Sequence, residues 1–87
     1  METLEKPFVE LATINKSLEK LHNNEHGVIS HVIEPLHRFF EMGGIPGTEI
    51  KIFQSSRNGP VIIEIKNTRI AIGHILAKKI FVNIKND

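Results

Sequence analysis

From residue 48 onward, apolar and polar residues alternate in short runs that are typical of half-buried antiparallel strands. The runs cover residues 48–53, 61–66, 69–72 and 80–84. Ile and Val occupy every second position, so each strand has one apolar and one polar face. The inward positions predicted in this way are Ile50, Ile52, Val61, Ile63, Ile65, Ile70, Ile72, Ile80, Val82 and Ile84.

Turn-forming residues separate these runs. Residues 54–60 contain Asn-Gly followed by Pro, which predicts a turn because Asn and Gly tolerate positive φ and Pro cannot donate to a strand ladder. Asn67 and Thr68 predict a tight reversal, and residues 74–79 predict a helix of one or two turns.

The first half of the chain is less regular. Residues 27–33 (GVISHVI) read as a strand with apolar side chains on both faces, which indicates a bulge or burial on both sides. Pro35 is well placed to begin a short helix, and Gly43 to end it in a left-handed conformation. Pro46 and Gly47 predict a type II turn before the next strand.

Five short strands with a small helix can close into a barrel filled by Ile and Val side chains. We therefore predict a mainly β fold, an SH3-like five-stranded barrel with one or two short helices, formed by residues 17–87. Residues 1–16 are predicted to be an N-terminal extension, and Leu4, Phe8 and Leu11 recur there at a spacing that suggests a helical arm.

Composition excludes several classes of function. The chain has 87 residues, a formal net charge of +1, and no Cys, Trp or Tyr. Thiolate chemistry and disulfides are therefore excluded, and the interleaved charges argue against nucleic-acid binding. The N-terminus is unlike a secretory signal, and no apolar stretch approaches the roughly 20 residues that cross a bilayer. We expect a cytoplasmic protein that does not insert into a membrane.

Catalytic machinery is not recognisable in the sequence. None of the serines (Ser17, Ser30, Ser55 and Ser56) lies in a nucleophile-elbow context, and the Gly-rich segment 43–47 lacks the Lys-Ser/Thr of a phosphate-binding loop. We expect no enzymatic activity and no required cofactor.

The histidines suggest a metal site. His22, Glu25 and His26 form an H-x-x-E-H pattern, which on a helix would bring both histidines to one face. Asn23, Asn24 and Gly27 disfavour a helix here. We predict at most a weak site for Fe²⁺ or Zn²⁺, and in one possible arrangement two molecules supply the ligands. The alternative is that all five histidines are solvated or packed at the edge of the fold and bind no metal.

Exposed apolar residues suggest a surface for a protein partner. The strand alternation places Phe53, Ile62 and Phe81 on the face opposite the core, where the N-terminal arm is an alternative cover. Loops of SH3-like barrels commonly bind peptides, so the loop at residues 54–60 and the turn at residues 42–48, which contains Met42 and Ile45, are further candidates. Open strand edges also make a homo-oligomer plausible.

Several segments in order resemble the FeoA family. These are SLEKL at 17–21, EHGVI at 25–29, LHRFFEMGGIPGTEI at 36–50, GPVIIEI at 59–65 and TRIAIG at 68–73. The chain departs from the family in having Asn23-Asn24 where Pro-Gly is usual, and in a short link of Glu34 and Pro35 before the helix.

This resemblance implies an accessory protein of ferrous iron transport that binds the FeoB-type membrane transporter. A similar barrel is the C-terminal module of DtxR-like repressors, but this sequence does not encode their helix-turn-helix. Two alternatives stay open: a small metal-binding domain that uses the histidines, and a generic SH3-like peptide-binding module.

Overall fold

A computed structural model describes residues 14–34 and 36–85 of the chain. Within these residues the elements are β1 Ile14–Ser17, β2 His26–Val32, α1 His37–Glu41, β3 Glu49–Ser55, β4 Val61–Ile65, β5 Thr68–Ile72, α2 His74–Ala77 and β6 Ile80–Ile84. A single 3₁₀ turn at Leu18–Lys20 follows β1.

The strands form one antiparallel sheet in the order β1-β6-β2-β3-β4-β5. The predicted mainly β, SH3-like fold is confirmed, with one strand more than the five expected. The additional strand is β1, which pairs with β6. Residues 14–16 of the predicted N-terminal extension belong to this strand, and Leu4, Phe8 and Leu11 of the predicted helical arm lie outside the described part of the chain.

The core lies on the inner face of the sheet and is almost entirely aliphatic. Nine of the ten inward positions predicted from the alternation are buried, and Ile70 is partly buried against them. The core also contains Leu18, Leu21, Ile29, Phe39 and Ala77, which come from the 3₁₀ turn, the loop that follows it, β2 and the two helices.

A bulge in β2 explains why apolar residues fall on both of its faces. Ile29 pairs with Val82, but two residues later His31 pairs with Phe81, so Ser30 is the extra residue. The extra residue reverses the inward and outward alternation from that point, as a bulge does. The expectation drawn from GVISHVI is confirmed.

A second bulge lies in β3. Ile52 pairs with Ile63, whereas Gln54 pairs with Ile62, so Phe53 is the extra residue. The bulge leaves Phe53 exposed at a bend of the strand.

Two glycines permit the turns on either side of the loop after α1. Gly43 ends α1 with φ +101°, and Gly47 has φ +96° in a turn in which the Thr48 amide donates to the Ile45 carbonyl at 3.1 Å. Both values lie in the left-handed region, which glycine adopts without steric cost. The predicted helix cap and type II turn are confirmed.

The prediction for the hairpin between β4 and β5 is wrong by one residue. The turn residues are Lys66 and Asn67, with φ +50° and +65°, and Thr68 already pairs with Ile65. A two-residue hairpin turn of this type needs positive φ at both central positions, which β-branched Thr disfavours. In the 54–60 loop, by contrast, Asn58 and Gly59 turn the chain without positive φ.

Gly27 is required by the close approach of β2 to β6. A Cβ atom at this position would overlap the Asn83 carbonyl oxygen and lie 2.8 Å from Val82 Cγ1. Gly27→Ala should therefore lower the free energy of unfolding by about 1–3 kcal/mol, because β6 must move away. Urea unfolding followed by circular dichroism measures this change.

Gly73→Ala is the matched control. No atom lies within 4 Å of a Cβ built there, and the Gly73 φ of −59° suits any residue. This variant should stay within about 0.5 kcal/mol of the wild type. Equal stability of the two variants would contradict the close packing of β2 on β6.

Candidate functional site

An apolar pocket of about 520 Å³ lies between the end of β2, α1 and the turn that follows α1. Its apolar lining comes from Val32, Ile33, Leu36, Phe39, Phe40, Gly44 and Pro46, and its polar lining from His31, Glu34 and His37. A concave apolar surface with few polar groups is the usual form of a binding site.

The floor of the pocket is Phe39, which is buried in the core. The Gly44 amide donates to the Phe39 carbonyl at 2.8 Å, and a Cβ atom on Gly44 would overlap the Phe39 ring. The Gly-Gly pair after α1 therefore allows the chain to pass directly over the aromatic ring. This close passage forms one wall of the pocket.

The rim of the pocket carries two exposed apolar side chains. Phe40 is 63% exposed and Ile33 is 61% exposed. The Ile33 amide donates to the Lys79 carbonyl at 2.8 Å, and Glu34 Oε1 lies 2.6 Å from Lys79 Nζ. These contacts tie the segment after β2 to the residue that precedes β6. The rim is thus apolar, exposed and held by hydrogen bonds.

The predicted outer-face residues do not form one continuous patch. Phe53 on β3 is 44% exposed, and the Arg69 guanidinium lies 3.8 Å from its ring centroid. Ile62 lies on the neighbouring strand β4 and is half-buried. Phe81 lies on β6 and stacks on the His31 ring at 4.7 Å. The sheet order places β2 between β6 and β3, so Phe81 is separated from the other two.

The other predicted partner residues lie beside the pocket. Met42 follows α1 directly and is 43% exposed, and Ile45 is 37% exposed between the pocket residues Gly44 and Pro46. Sequence reasoning missed Ile33 and Leu36 as site residues. The sequence signal that could have revealed them is the number of apolar residues around α1, which is larger than one short helix can bury.

The residues of the predicted metal site are close in the chain but not convergent. His22 Nδ1 lies 3.4 Å from Glu25 Oε1, and the same carboxylate oxygen accepts the His22 amide at 2.7 Å. His26 lies in β2, where it pairs with Lys51. In residues 14–34 and 36–85, no three His, Asp or Glu side chains are placed to hold a metal ion. The weak site stays a prediction that needs ligands from a second molecule.

The two asparagines of this loop have a structural role. Asn24 adopts φ +71°, and its amide donates to the Ile52 carbonyl at 2.8 Å. Asn23 Oδ1 accepts the Ser55 amide at 2.8 Å. Asn24 thus takes the left-handed conformation that glycine would otherwise supply, and the loop is joined to β3.

Charges near the start of β3 neutralise each other. Lys85 Nζ lies 2.5 Å from Glu49 Oε2. This hydrogen bond, together with the charge of Lys85 and a smaller effect of His26, lowers the pKa of Glu49 below its ordinary value. The carboxylate therefore has a cationic partner already, which disfavours this surface as a cation site.

The sheet order, the short helix between β2 and β3, and the pocket beside that helix define a small SH3-like β domain. The sequence matches the FeoA domain over residues 16–84, which is most of the chain. The chain belongs to the FeoA family. No curated protein sequence matches it.

Solved structures agree with this assignment. A crystal structure of an iron uptake regulatory protein (FeoA) is 26% identical, with a TM-score of 0.78, covering 83% of this chain and 99% of that chain. The FeoA-like protein of Clostridium acetobutylicum is 16% identical, with a TM-score of 0.73, covering 88% and 93%. IdeR of T. acidophilum is 24% identical, with a TM-score of 0.72, covering 90% of this chain but 37% of that chain. The last two show the fold alone.

The helices in the described ranges are far too short to span a bilayer, and none qualifies as a membrane-crossing segment.

Substitutions at Phe39 and Phe40 should separate the floor of the pocket from its rim. Phe39→Ala should lower the free energy of unfolding by about 3 kcal/mol or more, because it empties a core position. Phe40→Ala should stay within about 0.5 kcal/mol, because most of that side chain is in solvent. Urea unfolding measures both, and a large loss in Phe40→Ala would show that this ring stabilises the fold.

Calorimetric titration with Zn²⁺ or Fe²⁺ tests the predicted metal site. The wild type should give weak heats that disappear in a His22→Ala/His26→Ala variant, because both imidazoles are proposed ligands. Neither histidine is fully buried, so the variant should keep the fold. Equal heats from the two proteins would exclude the site.

Proposed function

We propose that this protein is a cytoplasmic, non-enzymatic accessory of ferrous iron transport that binds an FeoB-type membrane transporter through the apolar pocket. Membership of the FeoA family supports the link to iron. The pocket supports the mode of action, because exposed large apolar side chains around a concave apolar surface are typical of interaction sites.

The observation that carries the proposal is the pairing of Phe40 and Ile33 at the rim. Each exposes more than 60% of its surface around a pocket with a buried aromatic floor. Such a site takes a large apolar side chain of a protein partner, and water is released from both surfaces on binding. The polar groups His31, Glu34 and His37 at the edge would orient the segment that carries the side chain.

A binding function also agrees with the surroundings of His31, a polar residue of the pocket lining. Ser30 Oγ lies 3.0 Å from His31 Nδ1, which is the kind of pair that can form a nucleophile and its base. The His31 ring stacks on Phe81, and in the described residues no carboxylate pairs with it. A hydrolytic triad needs such an orienting group. The Ser30–His31 contact therefore fits a structural role at the bulge.

Measured affinity for the transporter tests the proposal. Phe40→Ser should weaken binding to the purified transporter, or to its cytosolic domain, by about tenfold or more, because it removes an exposed aromatic contact. Phe53→Ser is the matched control, since it removes an exposed Phe from a different face. Biolayer interferometry with immobilised transporter gives both affinities.

Three results would contradict the proposal. The first is no binding by the wild type at high micromolar concentration. The second is a loss of affinity in Phe53→Ser with normal binding by Phe40→Ser, which would assign the contact to the outer face. The third is hydrolytic activity that Ser30→Ala removes, which would make the domain an enzyme.

A further inference from the structure

Strand β5 forms one end of the sheet in the described residues. It pairs with β4 through five consecutive residue pairs, from Ile65–Thr68 to Val61–Ile72. Its other side has no neighbouring strand in the sheet order. A strand edge of this kind offers backbone donors and acceptors to another strand.

The hairpin geometry identifies which backbone groups face the free edge. In a two-residue hairpin the residues that flank the turn, Ile65 and Thr68, form a hydrogen-bonded pair, and such pairs alternate along the ladder. The amides and carbonyls of Thr68, Ile70 and Ile72 therefore point towards β4. Those of Arg69 and Ala71 point away from it, towards the free edge.

This edge lacks the usual protection against pairing. The register of β5 is uninterrupted, and the strand contains neither Pro nor a bulge. Its one long cation is turned away from the edge: the Arg69 guanidinium lies over Phe53 on β3 at 3.8 Å, and its Nε lies 3.9 Å from Glu64 on β4. Lysine, proline and bulges are common means of blocking such an edge, and within residues 14–34 and 36–85 none of them blocks β5.

We propose that β5 pairs with β5 of a second copy of this chain, antiparallel about a two-fold axis through Ile70. In this register Arg69 lies opposite Ala71 of the second copy, and each such pair exchanges two backbone hydrogen bonds. Ile70 lies opposite its own counterpart on the inner side of the sheet, where it is now half-buried. The two-fold axis makes the contact self-complementary and closed, so the product is a dimer.

The charges are compatible with this occupant. The register places no like charges directly opposite each other, because the small residue Ala71 faces each Arg69 and each Arg69 lies near Glu64 of its own chain. The pocket is lined by residues 31–46 and not by β5, so the strand pairing uses no pocket residue. The inference therefore stands independently of the proposed function.

Substitutions at Ala71 test the pairing, because its exposed side chain lies next to Arg69 of the second copy in the proposed dimer. Sedimentation equilibrium of the full chain should show a weak dimer that forms as concentration rises. Ala71→Lys should weaken the dimer about fivefold or more, since two like-charge pairs are created, and Ala71→Glu should strengthen it by a similar factor. Ala71→Pro should abolish it, because it removes the donor at the edge without removing a hydrogen bond to β4.

The three variants should keep the wild-type melting temperature within a few degrees, since position 71 is exposed and its amide does not bond to β4. A wild type that stays monomeric at millimolar concentration would overturn the proposal, and so would equal effects of Lys and Glu at position 71. Slow hydrogen exchange of the Arg69 and Ala71 amides in a dilute, monomeric sample would also overturn it, because the chain itself would then cover the edge.

Discussion

The strand register on the inner face of the sheet is the constraint on which the rest of this domain depends. A chain of 87 residues buries a small core, so nearly every inward position has to carry an apolar side chain. Bulges at Ser30 and Phe53 each insert one residue and change which side chains face inward beyond that point. Without them, the polar side chains of His31 and Gln54 would fall on the inner face.

The bulge in β2 also builds the candidate site. It turns Val32 towards the inner side and leaves Ile33 exposed, at the point where the chain leaves the sheet. The short helix α1 then buries Phe39 and exposes Phe40, and Gly44 lets the chain return over the Phe39 ring. The pocket therefore results from the way in which the short helix α1, which connects β2 and β3, packs on the core.

The sequence predicts the strands from residue 48 onward because their apolar and polar residues alternate regularly. It predicts the turns at Gly43 and Gly47 because the tolerance of glycine for positive φ does not depend on the rest of the fold. It does not predict β1, since Ile14–Ser17 has no apolar alternation and is a strand through its pairing with β6. Nor does it predict the pocket, whose walls come from separate segments that only the fold brings together. The metal and partner residues depend on other molecules, so they stay predictions.

Chemical-shift mapping with the transporter's cytosolic domain tests the central claim most directly, because it reports the contact surface without altering the chain. Amides near the pocket, such as those of Ile33, Phe40 and Gly44, should shift as the domain is added, while those of Phe53 and Ile62 should not. Shifts confined to Phe53 and Ile62, or no shifts at a saturating concentration of the domain, would contradict the assignment of the pocket as the partner-binding site.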